Sequence, residues 1–194
     1  IAIGLAYIHN TYPDSDVIVM DSDGEDSPEH IIDLIQEGNK TGRIVFAKRK
    51  QRSEGPVFTL FYRIYKKLFY SLTGQLIDFG NFSFIPHSNL HKVISLSEIW
   101  NHYAVGIVRA KLPFIKVRFN RGKRYDGKSK MSFSSLITHG LSAISVYSDV
   151  VATRIIISSL VCILIAAIGI GIIFAVRVFT DLAIPGWATT MILG

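Results

Sequence analysis

The segment from Ile155 to Val176 is a run of 22 residues without a single charged side chain. An α-helix rises about 1.5 Å per residue, so this run would be roughly 33 Å long, and the hydrocarbon core of a bilayer is about 30 Å thick. A helix in the core of a soluble protein is rarely this long and this apolar. We therefore predict a transmembrane helix over residues 155–176.

A second apolar run follows the predicted span. Pro185 and Gly186 are typical of a turn, and the run "ATTMILG" leads from there to the end of the chain. The pattern predicts a helical hairpin in the membrane. Residues 182–194 would form the start of its second transmembrane helix.

Basic side chains are concentrated on one side of the span. Those that precede it are Arg109, Lys111, Lys116, Arg118, Arg121, Lys123, Arg124, Lys128, Lys130 and Arg154. The loop after the span offers only Arg177. By the positive-inside rule, we expect the residues before the span to lie in the cytoplasm, with the chain integral to the inner or plasma membrane.

The part of the chain before the span has the composition of a globular domain. The single cysteine, Cys162, lies inside the apolar run, which excludes disulfides and a cysteine-based metal site. The six histidines show no metal-binding spacing. The chain begins without Met, inside the helical pattern "IAIGLAYI", so we expect an N-terminal portion to be missing.

Helices and strands alternate along the first 50 residues. A helix is predicted over residues 1–9, and the apolar run over residues 16–20 suits a parallel strand buried on both faces. A second helix starts near residues 26–29 and ends at Gly38, and "RIVFA", residues 43–47, is the next strand. This order predicts a doubly wound α/β domain.

Two longer helical patterns follow this alternation. The aromatic helix over residues 57–72 is either a core helix or an amphipathic element that rests on a membrane, and the two interpretations are compatible. The segment "MSFSSLITHGLSAISVYSDVV" leads into the span. We interpret residues 132–154 as an interfacial amphipathic helix.

The stretch "VIVMDSDGEDSPE" places five acidic side chains within nine positions, although the chain has a formal net charge of +6. An EF-hand loop is excluded, because its sixth place needs Gly and holds Asp26, and its twelfth needs an acid and holds Ile32. What remains is an Asp-x-Asp pair behind a strand. It would bind a divalent metal that bridges a diphosphate, or form a solvated turn before a helix.

Four motifs, in order along the chain, resemble those of one enzyme family. "VIVMDSDGEDSPEHIIDLI" resembles an Asp-x-Asp segment, and "AKRKQR" the basic stretch after the next strand. "LIDFGNFSFIP" resembles an Asp-x-Gly-x-Phe segment, and "RYDGKSKMSF" an Arg-x-x-Gly-x-Ser-Lys motif before two membrane helices. Together they are similar to family 2 glycosyltransferases of the membrane-bound group that includes dolichyl-phosphate mannose synthase and bactoprenol glucosyltransferases.

The resemblance implies a GT-A-like catalytic domain over residues 1–131, whose first strand would lie before Ile1. It implies transfer of a sugar from a nucleotide-sugar donor to a polyprenyl (dolichyl or undecaprenyl) phosphate at the cytoplasmic membrane face. The alternatives are another lipid or cell-envelope acceptor, or a truncated, inactive membrane-anchored remnant. No nucleic-acid partner is expected, and a homo-oligomer is compatible with the pattern.

The resemblance also implies roles for residues on the donor side. Asp23 would bind Mg²⁺ or Mn²⁺, and Asp21 would contact the nucleotide ribose or share the metal. Glu25 and Asp26 are expected to cap the next helix and to face solvent. Arg49 and Arg52 would neutralise the donor diphosphate, or belong to a solvated basic loop; these two residues complete the predicted donor-binding set.

On the acceptor side, Asp78 would be a catalytic base or an orienting group, with a turn-stabilising carboxylate as the alternative. Arg124, Ser129 and Lys130 are expected to bind the acceptor phosphate, with a basic loop attracted to anionic lipid as the alternative. Ser83 departs from the family pattern, since many relatives carry Arg at that place.

Overall fold

The structure is a computed structural model, and it describes residues 1–49, 56–119 and 133–180 together with residue 186. The chain divides into two units, Ile1–Ser148 and Asp149–Gly194. The first is a mixed α/β unit, and the second consists mainly of one long apolar helix. The elements are α1 (Ala2–Thr11), β1 (Val17–Val19), α2 (His30–Thr41), β2 (Ile44–Arg49), α3 (Pro56–Thr73), β3 (Ser83–Ile85), α4 (His87–Ile94), a 3₁₀ turn (Ser97–Trp100), α5 (Tyr103–Arg109), β4 (Phe114–Phe119), α6 (Phe133–Ser145) and α7 (Ser148–Phe179).

The four described strands form one sheet in the order β1-β3-β2-β4. β2 and β4 are parallel, and β3 is antiparallel to both β1 and β2. β1, β2 and β4 therefore run in the same direction and end at the same edge of the sheet, where β3 begins. We call this edge, marked by Val19, Arg49, Phe119 and Ser83, the carboxyl edge.

The prediction that residues 16–20 form a parallel strand buried on both faces is wrong. β1 is a three-residue strand that pairs only with β3 among the described strands, and the pairing is antiparallel. Val17 is buried, whereas Ile18 and Val19 are half-buried. A short apolar run has the same appearance in sequence whether its strand lies at the edge or in the middle of a sheet, and its partner β3 is too short to be recognised by periodicity.

The core lies on both faces of the sheet, because successive side chains of a strand point to opposite sides. Ile44 and Phe46 of β2 join one apolar cluster, which also contains residues of α1, α4 and α5. Val45 and Ala47 join the other cluster, with Leu34 of α2. Complete burial of a side chain such as Ile44, Val45 or Phe46 contributes about 1.5–3 kcal/mol, so β2 contributes strongly to the stability of the domain.

The second helix is longer than its sequence pattern predicts. Its expected end at Gly38 is wrong, since α2 continues to Thr41 and is followed by Gly42 in the left-handed conformation at φ 64°. Gly38 serves a different purpose: a β-carbon there would lie 2.1 Å from a ring carbon of Phe84. Glycine is required at residue 38 for close packing of α2 on β3, and at residue 42 for the turn that ends the helix.

The helices predicted after residue 56 are present, with some different bounds. α3 confirms the helix expected over residues 57–72. α6 ends at Ser145 and α7 begins at Ser148, so residues 148–154 form the first turns of the long helix. Within the described part of the chain, α7 is the one helix long and apolar enough to cross a membrane, with a mean hydropathy of 2.9 in its most apolar stretch. The expected second membrane helix, residues 182–194, lies outside the described residues except for Gly186.

Candidate active site

Asp78 is held between two lysines that come from different strands. The Nζ of Lys116 donates a hydrogen bond to Oδ1 of Asp78 at 2.9 Å, and the Nζ of Lys48 donates to Oδ2. The side chains of Lys48, Lys116 and Asp78 are 26%, 33% and 25% exposed. The cluster is therefore partly desolvated and still open to a ligand from solvent.

Strand geometry explains why these lysines meet. Lys116 is the registered partner of Phe46 across the parallel β2–β4 pair, and Lys48 lies two residues beyond Phe46 on the same face. Asp78 lies in the connection between α3 and β3, directly before Phe79. The ring of Phe79 packs against Phe46 at a centroid distance of 4.4 Å, which fixes the position of the aspartate over this face.

Lys116 has aromatic contacts besides its ion pair. Its Nζ lies 5.0 Å from the ring centroid of Phe79 and 5.8 Å from that of Phe114. An ammonium group is attracted to the electron-rich face of an aromatic ring at such distances. The two rings therefore support Lys116 independently of the Asp78 carboxylate.

The ionisation of Asp78 is decided by opposing effects. Partial burial raises the pKa of its carboxyl group, but the hydrogen bonds and charges of Lys48 and Lys116 outweigh burial and leave the pKa lower than usual. Asp78 is thus a carboxylate at neutral pH with both oxygens engaged. In this arrangement it is suited to orienting cationic and hydroxyl groups rather than to removing a proton.

The acidic loop after β1 is shaped by two of its own carboxylates. Oδ2 of Asp26 accepts a hydrogen bond from the backbone N–H of Asp21 at 3.1 Å, and Oδ1 of Asp23 accepts from the N–H of Glu25 at 3.0 Å. The expectation that Asp26 faces solvent is wrong, since it is 7% exposed. Buried Asp26 therefore closes the loop, while Asp21 is exposed and Asp23 half-buried.

The loop offers a limited set of metal ligands. No group of three or more His, Cys, Asp or Glu side chains among the described residues is arranged to hold a metal ion. Mg²⁺ is commonly held by one or two carboxylates, together with water and substrate phosphates. Asp21 and Asp23 fit a site of that kind, in which the substrate supplies part of the coordination, and they do not fit a cage made entirely of protein groups.

Most of the predicted site segments lie at the carboxyl edge or next to it. The acidic loop follows β1 at this edge, and Asp78 precedes β3 there. Arg49 is the last residue of β2, so its backbone lies at the same edge, and β4 ends there at Phe119. Neighbouring strands are about 4.8 Å apart, so the whole edge is only about 15 Å wide. The side chain of Arg49 and the residues Arg52, Arg124, Ser129 and Lys130 lie outside the described part.

The sequence pattern predicts no functional role for Lys48 or Lys116, two members of the cluster. Lys116 counts there only among the basic residues before the span, and Lys48 only as part of the basic stretch "AKRKQR". The signal that could identify them is the alternation of an aromatic residue and a lysine, Phe46 with Lys48 and Phe114 with Lys116. It places each lysine on the face where Phe79 packs.

Ser83, which departs from the pattern that the sequence resembles, is part of the core in this chain. It is fully buried, and its hydroxyl lies 2.8 Å from the hydroxyl of Tyr103 and donates to the carbonyl oxygen of Asn81 at 2.9 Å. Burial raises the pKa of Tyr103, which stays neutral. An arginine would not fit this position without displacing Tyr103, so cationic groups at the site come from other strands.

Comparison with known proteins gives an informative similarity. No protein-family model matches the chain. The chain is 25% identical over 187 residues to the uncharacterized glycosyltransferase YkcC of Bacillus subtilis (strain 168), in an alignment covering 91% of this chain and 56% of that protein. The chain thus spans little more than half the length of this relative, and the similarity extends beyond the sheet-containing unit into the long apolar helix.

Proposed function

We propose that this chain is the catalytic part of a membrane-anchored family 2 glycosyltransferase with a GT-A-like domain. It transfers a sugar from a nucleotide-sugar donor to a polyprenyl phosphate at the cytoplasmic membrane face. The observation that carries the proposal is the carboxyl edge, where an Asp-x-Asp loop follows β1 and a lysine-bound aspartate precedes β3. The similarity to a glycosyltransferase across most of the chain supports it.

The acidic loop suits the donor. Asp23, with Asp21, would hold Mg²⁺ or Mn²⁺, and such an ion would neutralise the charge that develops on the leaving nucleoside diphosphate. The hydrogen bonds that Asp26 and Asp23 accept from the loop's backbone would preorganise the loop for the donor. Arg49 and Arg52 would add positive charge beside the diphosphate.

The acceptor would approach from the segment that follows β4. A phosphate monoester has a second pKa near about 6, so it is largely dianionic at neutral pH and is already a nucleophile. It needs positioning and charge screening, which Arg124, Ser129 and Lys130 would supply. An ionised, lysine-bound Asp78 agrees with this chemistry, because no strong base is required.

The apolar helix would bring the acceptor and the domain to the same membrane. α7 has 32 residues and is about 48 Å long, and its uncharged stretch from Ile155 to Val176 matches the bilayer core. α3 exposes Leu60, Ile64 and Leu68 along one stripe, with Arg63 and Lys67 exposed beside it. An apolar stripe flanked by cations is typical of a helix that lies in the membrane interface. α6, which contacts α3, would lie there as well.

A donor screen in membranes tests the proposed function. The protein is reconstituted in nanodiscs that contain polyprenyl phosphate and is supplied with single nucleotide sugars and Mg²⁺ or Mn²⁺. We expect one donor to give a lipid product heavier by one sugar, identified by mass spectrometry, together with free nucleoside diphosphate. Transfer only to another lipid, or no transfer with any donor by an intact protein, would contradict the proposal.

A further inference from the structure

The cluster of Lys48, Lys116 and Asp78 has an excess of positive charge, because two lysines share one carboxylate. Two ammonium groups contact one carboxylate, so Lys48, Lys116 and Asp78 together have a net charge of +1 at neutral pH. All three side chains are between 25% and 33% exposed. The cluster therefore attracts anions and can be reached by them.

We propose that Lys48 and Lys116 form a phosphate-binding site in which the Asp78 carboxylate occupies the place of a substrate phosphate until the substrate binds. This inference rests on the proposed function and deepens it, because it assigns substrate binding to two strand residues outside the Asp-x-Asp and Arg-x-x-Gly-x-Ser-Lys segments. Asp78 is then the competitor that the substrate displaces.

The charges favour this exchange. A phosphate monoester carries about −1.5 to −2 and has three strong acceptor oxygens, whereas the carboxylate carries −1 and has two. Each ammonium group has three donors and acts as a compact charge, which suits a phosphate oxygen. With both lysines bound to it, a dianionic phosphate is neutralised, and the carboxylate is free to turn towards sugar hydroxyl groups.

Lys116 is prepared for an exchange of partners. The rings of Phe79 and Phe114 have their centroids 5.0 and 5.8 Å from its ammonium group, and their attraction for the cation does not depend on the carboxylate. Phe79 itself is fixed by Phe46. The lysine therefore keeps its position when Asp78 is displaced, and little reorganisation is needed when the phosphate binds.

The phosphate has two sources in the proposed reaction, the donor diphosphate and the acceptor monophosphate. Binding probes separate them: UDP and GDP represent the donor, and farnesyl phosphate represents the acceptor. Farnesol is the phosphate-free control. The probe whose affinity responds to the lysines identifies the source.

The test measures the dissociation constants of these probes for the protein in nanodiscs. We expect Lys48→Gln and Lys116→Gln each to weaken at least one probe tenfold or more. Asp78→Asn should strengthen the same probe at least threefold, because the competing charge is removed. Lys40→Gln is the matched control: Lys40 lies at the exposed end of α2, just before the start of β2, and therefore at the opposite edge of the sheet. It should leave every probe unchanged.

An ion pair with a purely structural role would give a different result. It would leave the affinity for every probe unchanged in the lysine variants, or would weaken binding in the Asp78→Asn variant too, and either outcome overturns the proposal. Failure of the wild-type protein to bind any probe overturns it as well. If Lys116→Gln does not fold, Lys116→Arg keeps the charge and should retain affinity, and the sign of the Asp78→Asn effect decides.

The outcomes separate this site from the proposed function, because binding is measured without turnover. Lysine-dependent phosphate binding by a protein that transfers no sugar would remove the glycosyltransferase proposal and leave the site. Sugar transfer by a protein whose lysine variants bind every probe normally would remove the site and leave the enzyme.

Discussion

The hydroxyl group of Tyr65 donates a hydrogen bond to the backbone carbonyl oxygen of Gly140, with the two oxygens 3.1 Å apart. The bond joins α3 to α6, the two helices that we propose lie at the membrane interface. Burial raises the pKa of Tyr65 to about 12, so its hydroxyl stays protonated and can donate at every pH relevant to the protein.

Loss of this bond should weaken the docking of α6. We predict that Tyr65→Phe lowers the free energy of unfolding by about 1 kcal/mol, the usual net contribution of one such hydrogen bond. Hydrogen exchange in α6 should become faster. Tyr70→Phe is the control on the same helix, since Tyr70 is 53% exposed. Equal effects from the two substitutions would show that the bond has no special role.

A pH effect is expected at His102, the residue before α5. Burial, followed by the nearby His139, lowers the pKa of His102 to about 4, and the backbone N–H of Val105 donates to its Nδ1 at 3.4 Å. The folded state thus prefers neutral His102. This stability is fully present above the unfolded pKa near 6.5 and is lost as the pH falls towards 4.

We predict that unfolding stability decreases by roughly 1–2 kcal/mol between pH 7 and pH 5, at 1.36 kcal/mol per pKa unit. His102→Asn keeps a side-chain acceptor at the helix start and removes the titrating group. Thermal melts of this variant should depend less on pH than those of the wild type. A variant with the same pH dependence as the wild type would rule out His102 as the source.

The contacts of Tyr65 with Gly140 and of His102 with Val105 also show what a sequence pattern can and cannot predict. The helix α3 is predictable because its apolar residues follow the helical period, and α7 and the strand β2 are predictable because they are uninterrupted apolar runs. The direction of β1 is not, since it depends on pairing with a three-residue strand more than 60 residues away. Contacts such as Tyr65 with Gly140 depend on the tertiary fold.

The candidate site is also predictable only in part from the sequence. Asp21, Asp23 and Asp78 are recognisable from motifs, because carboxylates beside strand ends have a distinctive local pattern. The ion pair of Asp78 with Lys116 spans 38 residues and arises only from the parallel pairing of β2 and β4. The packing role of Gly38 is hidden for the same reason, since it depends on the position of Phe84.

The acidic loop gives a test of metal dependence. We predict that Asp23→Ala abolishes sugar transfer, while the protein still inserts and shows a wild-type melting profile. Activity should require Mg²⁺ or Mn²⁺. Asp33→Ala, in the first turn of α2, removes an acid outside the loop and should keep transfer. Full turnover in excess chelator would contradict the role of the metal.

The basic segment after β4 gives a test of acceptor binding. Arg124→Ala and Lys130→Ala should each raise the KM for the lipid acceptor or lower kcat at least tenfold, about 1.4 kcal/mol. Donor binding should change little. Lys111→Ala removes a charge before the start of β4, at the opposite edge of the sheet, and should have a much smaller effect. Equal losses would mean that the segment serves only to attract anionic lipid.

The central claim is that a lipid phosphate is the nucleophile, and the most direct test compares two acceptors that differ only in that group. Undecaprenyl phosphate and undecaprenol are supplied in matched nanodiscs with the donor found by screening. The masses of the lipid products are then determined by mass spectrometry. We predict a glycosylated product from undecaprenyl phosphate alone, with release of one nucleoside diphosphate per product. Transfer to undecaprenol at a similar rate, or to neither lipid by a protein that glycosylates another acceptor, would contradict the account.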